Sequence, residues 1–355
     1  KKTDGAWAQN KKLEQASSAN DDYQGWHVDI TKDGGYVISG AYGASTKGGA
    51  YVWKNNGEIT HTLEGSAYIE AHSGISGTDN KPIAFLQNAA GTKSFLLGDQ
   101  NNRIYQYTMS VANSVNSSNM TYDSVSFDLS SQMSTPFGMR WNNNGTKIFV
   151  LDRSSRYVYE YNLSTAYDIT TMSYTSGDRF YITSDADPQG IDFKPDGTKM
   201  YIVHKNAGQI GSYTLSTAFD ITTASYDSQT VSVSSQDNGP AGVAFSPDGV
   251  RMIVAGAGSS GGVLFQYTLS TPWSINTASY DSISQSDLNE HSPRQVTFSS
   301  DGTVLFFPGL QADRVKKFSS STVSWTEQAF LTSSDLDNNA EAGTAVSINS
   351  QDGTL

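Results

Sequence analysis

The 355-residue chain contains no cysteine, which removes disulfide frameworks, thiolate nucleophiles and cysteine-ligated zinc together. Charged residues make up only 16% of it. No apolar run approaches the ~18 residues that a membrane span needs, so no membrane insertion is expected. Long stretches of helical periodicity are missing as well, which argues against a helical fold. The net charge of −12 repels nucleic acid and anionic membranes, and a nucleic-acid partner is not expected. What the chain has instead is Gly 32, Tyr 19 and a background rich in Ser, Thr and Asn. That composition suits short strands joined by polar turns.

An internal repeat organises the sequence. TPFGMRWNNNGTKIFV (135–150), DPQGIDFKPDGTKMYIV (187–203), GPAGVAFSPDGVRMIVA (239–255) and SPRQVTFSSDGTVLFF (292–307) align on prolines 136, 188, 240 and 293, at spacings of 52, 52 and 53. Gly91, Gly145, Gly197, Gly249, Gly302 and Gly353 keep the same beat, as do Tyr107, Tyr161, Tyr213, Tyr267 and Phe318. A second string recurs between them, as YNLSTAYDITTMSY (161–174), YTLSTAFDITTASYDS (213–228) and YTLSTPWSINTASYDS (267–282), with a divergent copy at 107–124.

Each unit parses into four strands. Val243 to Phe245 lead into an Asp248-Gly249 turn, Arg251 to Ala255 return, Val263 to Leu269 follow, and Ala278 to Ser282 finish the unit. Proline is tolerated at the first residue of a strand, where its missing N–H is harmless. Gly138, Gly190 and Gly242 stand two residues after the prolines, where they would let the innermost strands crowd together. Four-stranded units bury both faces only against neighbours, and radial closure leaves few exposed edges. The fold class expected is an all-β β-propeller, most simply of seven four-stranded blades, with six as the alternative, since 355 residues over a period near 53 is 6.7 units.

The whole chain, 1–355, reads as one domain and as an excerpt of a longer polypeptide. Its blades are expected at 23–64, 65–134, 135–186, 187–238, 239–291 and 292–340, with a composite blade from 341–355 and 1–22. The ends support that closure. Trp7 to Leu13 matches Trp325 to Leu331.

The segments GWHVDITKDGGYVISGAYG (25–43) and GGAYVWKNNG (48–57), with the Trp7 and Trp325 segments, resemble FG-GAP repeats of integrin-like propellers. The central units, with PDGTKMYI and LSTAFDITTASYDS, resemble repeats of marine phage virion proteins and of YVTN-type bacterial secreted propellers. The resemblance implies a non-enzymatic scaffold that is extracellular, virion-borne or on a cell surface. A phage fibre or host-recognition component is the first expectation, with other virion or surface proteins and a host glycan as partners. A bacterial secreted or surface adhesion propeller is the alternative, and a propeller hydrolase or lyase the second.

FG-GAP repeats often carry DxDxDG calcium loops, a pattern this chain lacks. The nearest set is Asp335, Asp337, Asn339 and Glu341, whose alternating oxygens are the candidate calcium ligands, although Ala340 stands where such loops use glycine. No other cofactor is expected. The histidines His27, His61, His72, His204 and His291 fall at different phases of the repeat without metal-binding spacing. Gly256 to Gly261 matches GxGxxG but precedes a strand rather than a helix, so it reads as a hairpin loop.

No catalytic motif is present. The serines read as repeat residues remote from any histidine and acid. Recurrent carboxylates such as Asp185, Asp187 and Asp237 read as an acidic rim. Tyr167, Phe219 and Trp273 share one loop position and are the candidate binding residues, since such rings stack on sugars. Their register with Ile169, Ile221 and Ile275 equally suits packing between blades.

Overall fold

The computed structural model describes strands at residues 2–3, 6–7, 23–30, 36–42, 49–55, 67–72 and 325–331. It also describes residues 82 to 319, apart from 99, 117, 257–261, 286–294, 303 and 310–313. Two compact units emerge, Lys1–Glu58 with Val323–Leu355, and Ile59–Thr322.

In the first unit β1 (Lys2–Thr3) pairs with β2 (Ala6–Trp7). A four-stranded antiparallel sheet combines β3 (Tyr23–Ile30), β4 (Tyr36–Tyr42) and β5 (Gly49–Asn55) with the late strand β26 (Trp325–Leu331), in the order β26-β5-β4-β3. The proposed composite segment 341–355 lies outside the described residues, as do 8–22.

The second unit holds five four-stranded antiparallel sheets. The first blade is β7 (Pro82–Gln87), β8 (Lys93–Gly98), β9 (Arg103–Met109) and β10 (Met120–Asp128). The second is β11 (Pro136–Trp141), β12 (Lys147–Asp152), β13 (Tyr157–Leu163) and β14 (Met172–Tyr181). The third is β15 (Pro188–Phe193), β16 (Lys199–His204), β17 (Gln209–Leu215) and β18 (Ala224–Ser232). The fourth is β19 (Pro240–Phe245), β20 (Arg251–Gly256), β21 (Val263–Leu269) and β22 (Ala278–Gln285). The fifth joins β23 (Thr297–Phe298), β24 (Val304–Gly309) and β25 (Arg314–Ser319) to β6 (Ala67–His72), an outer strand contributed from the N-terminal side.

The chain is therefore an all-β propeller of four-stranded blades, and the expected count of seven, or six, is corrected to five. The reason lies in where the ring closes. The fifth blade meets the first directly: Phe85 and Phe306 pack with ring centroids 5.1 Å apart, Gln295 N–H donates to Ile83 O at 3.2 Å, and Ser300 Oγ donates to Ala89 O at 2.8 Å. Dividing length by period counted the flanking segments, which belong to the other unit.

Equivalent aromatic residues stack blade upon blade. Phe95 meets Trp141 at 4.9 Å, Phe149 meets Phe193 at 4.5 Å, and Tyr201 meets Phe245 at 4.4 Å. These contacts, with the aliphatic residues around them, form the cores between neighbouring sheets. Burial at ~25 cal/mol per Å² of apolar surface makes such interfaces the main stabilising term.

Two layers of side chains occupy the inner strands. At the position two beyond each opening proline, small residues predominate: a Cβ on Gly190 would lie 2.8 Å from Gly242 Cα, so the strands approach too closely for any side chain. The fifth blade places Gln295 there. Its Oε1 accepts from Met139 N at 2.8 Å and its Nε2 donates to Met139 O at 2.5 Å. One long amide thus ties β11 to the fifth blade. Two residues further on, the layer holds Arg140, Asp192, Ala244 and Thr297.

Candidate functional site

The tyrosine that marks each repeat settles the comparison between blades. In the second blade Tyr161 O–H donates to Gln132 Oε1 at 3.3 Å, and in the fourth Tyr267 O–H donates to Gln236 Oε1 at 2.9 Å. The third blade breaks this pattern at three places that meet in space. Ser184 replaces the glutamine, His204 stands where the second and fourth blades have Asp152 and Gly256, and Gly211 stands where they have Tyr159 and Phe265.

The glycine makes room for the imidazole. A Cβ on Gly211 would lie 2.3 Å from His204 Cε1, so the ring sits directly over that residue. Shortening glutamine to serine then opens the space the ring nitrogen enters. Ser184 Oγ lies 3.0 Å from His204 Nε2 and is hydrogen-bonded to Tyr213 Oη, which is itself 3.0 Å from Nε2. Ser184 is half-buried on the connection between β14 and β15, while His204 is almost fully buried at the end of β16.

Burial holds the His204 pKa below its ordinary value, with the nearby Asp185 charge opposing that shift. The imidazole is therefore neutral at neutral pH and free to accept a proton. Burial pushes the Tyr213 hydroxyl up, against the hydrogen bond from Ser184, so it remains a protonated donor.

Carboxylates at this end of the ring are largely occupied with the backbone. Asp185 Oδ1 accepts from Asp187 N at 2.5 Å, Asp237 Oδ1 from Gly239 N at 2.6 Å, and Asp152 Oδ1 from Thr135 N at 2.7 Å. Asp185 and Asp237, expected from sequence on an acidic rim, are buried loop caps instead. Asp187 is bound by Arg153 of the preceding blade, with Nη2 at 3.0 Å, and faces Lys205 Nζ at 3.4 Å. Burial raises the Asp187 pKa, but Arg153 and Lys205 outweigh it and hold the carboxyl below its usual range.

At the other end of the same strands, the three loop aromatics have left-handed backbones, with φ of 57° at Tyr167, 55° at Phe219 and 65° at Trp273. Their rings lie over the turn glycines Gly145, Gly197 and Gly249. They also pack on inner-strand rings, Tyr167 on Trp141 at 5.3 Å, Phe219 on Phe193 at 6.0 Å and Trp273 on Phe245 at 5.4 Å. Tyr167 and Trp273 border an axial cavity of about 240 Å³, and Phe219 does not.

The candidate calcium ligands Asp335, Asp337, Asn339 and Glu341 lie outside the described residues. Among the described residues, no group of three or more His, Asp or Glu side chains is placed to hold a metal ion.

The serine and tyrosine were missed because both residue types are common in this chain, and His204 because nothing in its spacing marked it. The signal was present in the alignment of its own repeats, as three departures within one unit.

No protein-family model matches the chain, and no curated protein matches it. Solved structures of similar form do exist. A Bacteroides uniformis protein provisionally named a 6-phosphogluconolactonase is 12% identical over 93% of this chain and 89% of that one, with a TM-score of 0.43. The Pseudomonas aeruginosa periplasmic gluconolactonase is 14% identical over 93% and 88%, with a TM-score of 0.39. A chain of a nidogen/laminin complex is 13% identical over 75% and 84%, at 0.41.

At such identities the likeness concerns fold alone. The FG-GAP, YVTN and phage virion resemblances find no counterpart among matching families. The expectation of a non-enzymatic virion or adhesion scaffold is corrected at the site itself, where a serine hydroxyl meets an imidazole. The premise behind that expectation, that no serine stands beside a histidine, fails at Ser184.

Proposed function

We propose that the second unit is a hydrolase of small esters or lactones, with Ser184 as nucleophile and His204 as general base. One observation carries this reading: three repeat positions diverge together in a single blade, and their joint effect is a hydroxyl 3.0 Å from a neutral imidazole nitrogen. Nucleophile and base belong within about 2.6–3.2 Å of each other.

In this mechanism Ser184 Oγ attacks the carbonyl carbon while its proton passes to His204 Nε2. The carbon–oxygen bond to the leaving group then breaks, and the imidazolium returns the proton to the departing alkoxide. Water attacks the acyl-serine with His204 again as base, releasing the acid and restoring both side chains. Asp185 favours the transient imidazolium by its charge. The protonated Tyr213 hydroxyl, hydrogen-bonded to Ser184, would donate to the developing oxyanion.

The test is turnover of p-nitrophenyl acetate and of δ-gluconolactone by the purified chain. Ser184→Ala and His204→Gln are each expected to lower kcat at least a hundredfold, consistent with ~10²–10⁴ for general acid–base catalysis. Equal turnover by both variants would refute the assignment.

A further inference from the structure

The axial cavity at the end of the ring opposite Ser184 is bordered by the same repeat position of all five blades, from Gln87, Trp141, Phe193, Phe245 and Phe298. Its floor is the Arg140 and Asp192 pair, and that floor is chemically closed. Arg140 Nε donates to Asp192 Oδ1 at 2.8 Å. Nη1 donates to Thr297 Oγ1 at 2.7 Å and to Met139 O at 3.4 Å, and Nη2 to Val296 O at 2.7 Å and Val243 O at 3.1 Å. A guanidinium has five N–H donors, and all five are taken. Asp192 has its charge paired with Arg140 and also accepts from Phe193 N and Phe245 N at 2.8 Å each. Among the described residues, no other charged side chain borders the cavity. An anionic or cationic ligand thus finds no unspent counter-charge.

Polar capacity does remain in the wall, where the exposed Asn143 offers an amide that both donates and accepts and the exposed Ser300 offers a hydroxyl. Around these few polar groups the border is aromatic, with Trp141, Tyr167 and Trp273 half-buried.

From this combination we infer that the axial cavity is a binding site for a neutral sugar ring, separate from the Ser184 centre. A pyranose offers an apolar face for aromatic contact and hydroxyls that both donate and accept. At about 240 Å³ the cavity is smaller than the ~300–1,000 Å³ of drug-sized ligand clefts, which suits a single ring.

The experiment is a titration of the Ser184→Ala protein, so that catalysis plays no part, with glucose, galactose and N-acetylglucosamine, and with glucuronate as the charged control. Tryptophan fluorescence and calorimetry report binding. At least one neutral sugar is expected to bind saturably and tighter than glucuronate. Trp273→Phe, which puts the third blade's Phe219 ring type at this loop position, and Asn143→Ala are each expected to weaken it fivefold or more without shifting the thermal midpoint. Absence of saturable binding by every neutral sugar, tighter binding of glucuronate, or unchanged affinity in both variants would overturn the proposal.

Discussion

Arg140 and Asp192, one blade apart, form an ion pair at 2.8 Å with both side chains almost wholly buried. The pair knits β11 to β15, and through the other guanidinium hydrogens reaches β19 and the fifth blade. Replacing Arg140 by Met leaves a buried carboxylate without its counter-ion, at a cost of about 3–5 kcal/mol. Urea unfolding is expected to show that loss. The double variant Arg140→Met with Asp192→Asn is expected to lose less than the two single changes added together, because the stranded charge is gone.

Gln295 supplies a second axial tie. Gln295→Gly gives this position the glycine of the second to fourth blades but takes the side-chain partner from Met139 N–H and leaves Met139 C=O only the 3.4 Å contact from Arg140. About 1–3 kcal/mol of stability should be lost, the cost of unsatisfied buried groups. An unchanged denaturation midpoint would show that the tie carries no weight.

Gly197 has φ of +73°, and a Cβ there would lie 2.3 Å from the Phe219 ring. Gly197→Ala is expected to destabilise by at least ~1–2 kcal/mol for the left-handed backbone alone. Combining it with Phe219→Ala removes the clash, so the two effects should be less than additive in a double-mutant cycle.

Much of this architecture is legible in sequence. Pro136, Pro188 and Pro240 mark strand starts to the residue, Gly91, Gly145, Gly197, Gly249 and Gly302 all have positive φ, and the four strands read around Val243 match β19 to β22. Blade count was not legible, because a repeat period does not say which copies close on each other. Ring closure depends on Phe85 meeting Phe306 and on a strand taken from residues 67–72, contacts between distant segments. The Ser184 centre was hidden for a different reason. Ser184 and His204 are 20 residues apart without a motif, and only Gly211, by lacking a side chain, brings them within reach.

Because burial lowers the His204 pKa, the unfolded chain takes up that proton more readily than the folded one. Stability should therefore fall as pH drops below the unfolded value of ~6.5. The facing groups are Ser184, Asp185, Tyr213 and Tyr226. Carboxylates such as Asp187 and Asp196, held below their usual range, lose their contribution only at lower pH, near 4 and beneath. Thermal midpoints compared at about pH 7.5 and 5.5 should differ in the native chain, and the difference should shrink in His204→Gln.

The proposed chemistry also predicts that activity holds to lower pH than an ordinary imidazole would allow, since burial disfavours the charged form of His204. A kcat that already halves at about pH 7 would place the essential base elsewhere.

The most direct test of the Ser184 assignment is covalent capture by a fluorophosphonate, read by intact mass and peptide mapping. The account predicts one adduct per chain, located on Ser184, absent from Ser184→Ala and strongly slowed in His204→Gln. Adducts on another serine, or none in a chain that still hydrolyses δ-gluconolactone, would contradict it.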